Sequence, residues 1–181
     1  MLKAKFLIFV LLIFAFNIYA QKGNPTNQTS QNSDQLLKHL SAAETYQISG
    51  DLINAGVENR AIVGIALQRI GNIANEEGKY DEAIRILSES LNYQESASNR
   101  INLAVAYQRS NQIEKAIEEA QKAISIDPNF LYGHYILGNI HFLQEDYKSA
   151  LPHLEKVFQT APDIEIANAL GLTYLHLKQL E

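Results

Sequence analysis

The pattern of apolar and polar positions changes twice along this chain. Phe6 to Phe16 (FLIFVLLIFAF) is an unbroken apolar run behind Lys3 and Lys5. Gln21 to Ser33 (QKGNPTNQTSQNS) has no apolar residue beyond Pro25. The rest of the chain repeats itself. The segments GKYDEAIRILSESL, NQIEKAIEEAQKAI and EDYKSALPHLEKVF superimpose without gaps and align Ala83, Ala116 and Ala150, at steps of 33 and 34 residues. Ahead of each lies a second aligned stretch: LQRIGNIANEEG, RINLAVAYQRSN and HYILGNIHFLQE. A further copy, NALGLTYLHLKQ, follows at the end.

This period and these columns resemble the tetratricopeptide repeat, a helix–turn–helix unit of about 34 residues. The resemblance implies an all-α fold, a right-handed α-solenoid of stacked antiparallel helix hairpins. Each column has a physical cause. Gly71, Ala104, Gly138 and Gly171 keep the first helix thin where the second crosses it, and Ala83, Ala116 and Ala150 do so from the second helix. Ile70, Leu103, Leu137 and Leu170 are expected inside, with Leu87 and Leu154 facing them and Tyr80 and Tyr147 roofing the hairpin. Pro128 and Pro162 mark helix ends, because the residue before a proline is pushed out of the helical region. Three repeats are expected over 64–96, 97–130 and 131–163, with the first helix of a fourth over 164–181. Tyr174 of that helix is expected inside, while Leu172, Leu175 and Leu177 have no polar stripe to face.

Segment 34–63 carries matching columns (Tyr46, Gly50, Leu52, Ala55), yet Ala55 and Ala83 are only 28 residues apart. Two readings are open, a degenerate N-terminal hairpin or one long helix over about 51–77. The second is favoured because ENRAIVGIALQRIGNIANEEG contains no firm stop signal.

Lys3 and Lys5, the apolar run and a small residue at Ala20 form a secretory signal peptide over residues 1–20, with an uncleaved anchor as the alternative. The run is too short to span a bilayer, which needs about 20 apolar residues. Residues 21–33 read as a flexible polar linker. The protein is thus expected to be exported, to the periplasm or outside the cell. Cleavage takes the formal charge from −5 to −7. An acidic chain argues against nucleic acid, whose phosphates require a basic face. The chain has no cysteine, so neither disulfides nor thiol chemistry are available.

No phosphate loop, nucleophile elbow, HExxH pair or acidic calcium loop is present. His39, His134 and His141 fall in interior columns and read as packing residues; His153 and His176 read as surface residues. No enzyme activity, metal or small-molecule cofactor is expected. Function is then a matter of surface. The resemblance implies a concave groove lined by the first helices. In register it receives Gln68, Arg69, Asn72 and Asn75, then Ser98, Ile101, Asn102, Val105 and Gln108, then Tyr132, Tyr135, Ile136, Asn139 and Phe142. Asparagine can bond both N–H and C=O of an extended peptide. Some family members clamp a chaperone's C-terminal carboxylate with three cations and two asparagines. The corresponding positions are Gln68, Asn72, Asn102, Tyr132 and Ile136, which keep both asparagines and lack every cation. The expected function is a scaffold that binds a protein or peptide in the groove. The alternatives are a docking or sensing arm of a longer protein, and a self-associating solenoid, with residues 164–181 as the surface for continuation or self-association.

Overall fold

The computed structural model describes the backbone of residues 25–178 and the side chains of residues 34–178. The expected signal peptide, residues 1–20, lies outside the described residues. Among the described residues there are eight helices and no strand: α1 (Pro25–Ser49), α2 (Leu52–Glu76), α3 (Tyr80–Ser90), α4 (Ala97–Arg109), α5 (Ile113–Ile126), α6 (Leu131–Leu143), α7 (Tyr147–Thr160) and α8 (Ile164–Lys178). Each helix packs on the next, and α4 also touches α2 and α6. The result is an all-α solenoid of antiparallel hairpins.

Helix α1 is described from Pro25 onward, so residues 25–33 are helical and not the linker expected there. Nothing after Pro25 in that stretch is a glycine or proline that would stop the helix. Helix α2 runs unbroken for 25 residues. Its first half pairs with α1, through Ala43, Ala55 and a 2.5 Å contact between His39 Nδ1 and Glu58 Oε2. Its second half pairs with α3.

One turn geometry joins the helices of each hairpin. The N–H of the sixth residue returns to the carbonyl of the first: Asp51 to Tyr46, Lys79 to Ala74, Gln112 to Tyr107 and Asp146 to His141, at 2.8–2.9 Å. The closing residue must adopt positive φ. Gly50 and Gly78 do so freely, Asn111 tolerates it, and Glu145 is held there at φ 62°. Side chains of Asp51, Ser96 and Asp146 then cap the following helices by accepting from Asn54, Asn99 and Ser149 N–H at 3.1–3.2 Å.

Close approach at the small-residue columns organises the core. A Cβ placed on Gly71 would lie 2.5 Å from Leu87 Cγ, and one on Gly138 3.0 Å from Leu154 Cδ2. Ala104, Ala116 and Ala120 are fully buried in the same crossings. A buried polar node ties three helices together: Ser90 Oγ donates to Gly64 O and accepts from Asn99 Nδ2, both at 2.8 Å.

Three interior expectations are corrected. Ile70 is 51% exposed, against 3%, 1% and 8% for Leu103, Leu137 and Leu170. That column packs on the preceding hairpin, whereas the described contacts of α1 lie on the first half of α2. Gly171 meets nothing within 4 Å and Tyr174 is exposed, since among the described residues no helix packs over that face of α8.

Candidate binding surface

Helices α2, α4 and α6 are the first helices of consecutive hairpins, and polar side chains bridge them. Gln68 Nε2 donates to Ser98 Oγ at 3.1 Å, and Asn75 Nδ2 donates to the Asn102 carbonyl at 3.0 Å. Gln68 and Asn102 are buried, and Asn72 and Asn75 are half-buried. Yet Asn72 Oδ1, Asn75 Oδ1, Asn102 Nδ2 and Gln108 Oε1 are shielded atoms with no hydrogen-bond partner among the described residues. Such atoms each cost about 1–3 kcal/mol when unpaired. The set contains acceptors and a donor, the two functions an extended peptide backbone presents.

On α6, Tyr132 and Tyr135 stack with ring centroids 6.0 Å apart and an interplanar angle of 9°. Tyr132 and Asn139 are half-buried, whereas Tyr135 is buried. Arg69 is exposed on α2. Ile101 and Ile136, expected in the groove, are fully buried in the core, and Phe142 is buried against Tyr147. The frame assigned these three to the helix face but could not tell rim from interior, which depends on how deeply neighbouring hairpins overlap. The burial of Ile136 also means that this clamp position is a packing position here.

No repeat column marks the histidine cluster between α6 and α7. His134 donates from Nε2 to the Pro128 carbonyl at 3.1 Å, which leaves its Nδ1 to accept from His153 Nδ1–H at 3.0 Å. The His141 ring lies parallel to that of His153, with centroids 6.4 Å apart, and His141 Nδ1 faces Asp146 Oδ2 at 3.4 Å. Burial, then the charges His134, His141 and Lys156 would place beside it, lowers the His153 pKa to about 4. His153 is therefore half-buried and engaged with His134, not the free surface residue expected. His176 is likewise engaged, stacked on Tyr147 at 4.4 Å. Among the described residues no group of three or more acidic or histidine side chains is arranged to hold a metal ion.

A family model described as tetratricopeptide repeat matches residues 74–140. A heat-shock cognate co-chaperone, sgt12 of Aspergillus fumigatus, is 36% identical over 93 residues, which is 50% of this chain and 27% of that protein. The chain spans less than a third of the length of the curated relatives it matches. Among solved structures, the Sgt2 TPR domain from Aspergillus fumigatus is similar with a TM-score of 0.59 and 27% identity, over 65% of this chain and 80% of that one. The first TPR of Spaghetti (RPAP3), bound to the HSP90 peptide SRMEEVD, has the same fold with a TM-score of 0.60 and 23% identity, over 64% of this chain and 96% of that one. Together these show a tetratricopeptide-repeat match over residues 74–140 and a fold shared with solved TPR domains.

Proposed function

We propose that this protein is an exported, non-enzymatic scaffold that binds an extended peptide segment of another protein across α2, α4 and α6. The carrying observation is the row of shielded, unpaired amide atoms at Asn72, Asn75, Asn102 and Gln108. A peptide laid along these helices meets amide side chains able to bond both its N–H and its C=O groups. The half-buried Tyr132, stacked on the buried Tyr135, offers an apolar contact beside the row at little entropic cost.

The neutral row favours a backbone over a carboxylate. Charge-assisted bonds of about 1.5–3 kcal/mol each are missing where Gln68, Tyr132 and Ile136 stand. A relative of this fold holds an acidic HSP90 peptide, and this surface is unsuited to that ligand. Export rests on residues 1–20 and places the partner outside the cytoplasm. N-terminal sequencing of material from a secreting host is expected to begin at Gln21; recovery of Met1 from membranes supports the anchor instead.

The test of the groove is capture of partners on residues 21–181, followed by the triple change Asn72→Ala, Asn102→Ala and Asn139→Ala. Binding is expected to weaken at least tenfold with helicity unchanged. Retained binding in the triple variant, with loss on changing the opposite helix faces, removes the groove reading. A second reading, a docking arm of a longer protein, is favoured by the greater length of the relatives. The reading frame at the native locus decides between them.

A further inference from the structure

Both helices of the α6–α7 hairpin hold one backbone atom of the loop that joins it to the α4–α5 hairpin. The loop is residues 127–130, and the atom is the Pro128 carbonyl oxygen. From α6, His134 Nε2 donates to it at 3.1 Å. From α7, Lys156 Nζ donates to it at 2.5 Å and reaches Asn129 Oδ1 at 3.4 Å. His153, one turn before Lys156, donates in turn to His134 Nδ1 at 3.0 Å. Two imidazoles and an ammonium therefore fasten the joint between consecutive hairpins.

This arrangement accepts one extra proton and not two. In the neutral pair a single Nδ1–H lies between the rings. A first added proton can sit on His153 Nε2 and leaves that bond intact. A second, on His134 Nδ1, sets two N–H groups head to head across 3.0 Å. It also brings an imidazolium onto the Pro128 oxygen beside the Lys156 ammonium. Like charges this close repel strongly where burial limits screening, and His134 is buried.

The surrounding titratable groups are cationic or engaged. His141 of α6 lies parallel to His153 at 6.4 Å, and Asp146 of the turn faces His141 and accepts from Ser149 N–H. On α8, His176 stacks on Tyr147, and Tyr174 donates to Glu155 of α7. On α5, Glu118 and Glu119 pair with Lys122, and Glu119 also pairs with Arg100 of α4. In the loop, Asp127 accepts from Asn129 N–H. Burial and these positive neighbours are what hold the His153 pKa at about 4.

We propose that His134, His153 and Lys156 form an acid-released latch on the joint between the α4–α5 and α6–α7 hairpins: when both imidazoles are protonated, His153 and Lys156 of α7 leave His134 and the Pro128 carbonyl, and the angle between the hairpins is freed. His153 is half-buried, so its ring has water to turn to. The latch is a property of the joint and does not rest on the groove reading.

The chain has no cysteine, so introduced thiols carry labels uniquely. Spin labels at Gln121→Cys on α5 and Gln159→Cys on α7, both exposed positions, report the distance across the joint by pulsed electron resonance. On the full chain, the width of the distance distribution is expected to at least double as pH falls from 6.5 to 4, with helicity by circular dichroism unchanged. In the same labelled chain carrying His153→Asn, which takes up no proton, the width is expected to stay constant. His153→Gln is measured beside it, so that a fold lost in one variant leaves the other to decide. A width that does not change with pH in the parent overturns the proposal, and so does widening that persists in either folded variant. Widening that appears only together with loss of helicity is acid unfolding and overturns it as well.

Discussion

At the scale of single residues, two positions carry a measurable strain. Glu145 closes the α6–α7 turn at φ 62°, where its counterparts are glycine and asparagine. A left-handed conformation costs a side-chain-bearing residue about 1–2 kcal/mol, part of which glycine returns as chain entropy in the unfolded state. Glu145→Gly is therefore expected to stabilise by about 0.5–1 kcal/mol, read as a raised denaturation midpoint. His153 gives the opposite kind of signal. Its pKa is lowered from 6.5 to about 4, so the unfolded chain takes up a proton that the folded chain refuses. The His153 contribution is complete above pH 6.5 and is lost as pH falls from 6.5 toward 4. Discounted for its partial exposure, the loss is about 1–2 kcal/mol. The groups facing it are His134 and His141 from α6 and Lys156 from α7, with Asp146 beyond His141. His153→Asn is expected to flatten the stability profile across that window. A profile unchanged by the substitution means that other groups set it.

At the scale of helices, the small-residue columns decide packing, and they were legible. Even a Cβ crowds Leu87 or Leu154 where they cross the first helices, so residue type alone marked Gly71 and Gly138. Gly138→Leu drives a branched side chain into Leu154 and is expected to cost at least about 1–3 kcal/mol by chemical denaturation. The histidine cluster was not legible. His134 and His153 are 19 residues apart on different helices, and no repeat column links them. Nor was the exposure of Ile70 legible, since its register is that of Leu103 and Leu137. A column names a helix face, but burial requires the neighbour that covers it, and the irregular spacing before Ala83 puts α1 elsewhere. The same spacing did show that α2 has no stop between its halves.

At the scale of the whole molecule, repeat contacts are mainly between adjacent hairpins, so stability is graded along the array. The largest buried cluster joins α4, α5, α6 and α7 and reaches Ile166 at the start of α8. Hydrogen exchange is expected to be slowest in α4 to α6 and fastest in α1 and α8, whose outer faces are open. Uniform protection across all eight helices would show that the ends are already covered. The long helix α2 has a mechanical consequence. Consecutive hairpins farther along are joined by short loops, at 127–130 between α5 and α6 and at 161–163 between α7 and α8. Those joints can absorb bending. No joint exists inside α2, whose 25 residues make a continuous rod about 37 Å long. A load that has crossed the Gly50–Asp51 turn into α2 is therefore carried along one rod to the turn at 77–79, where the next joint lies.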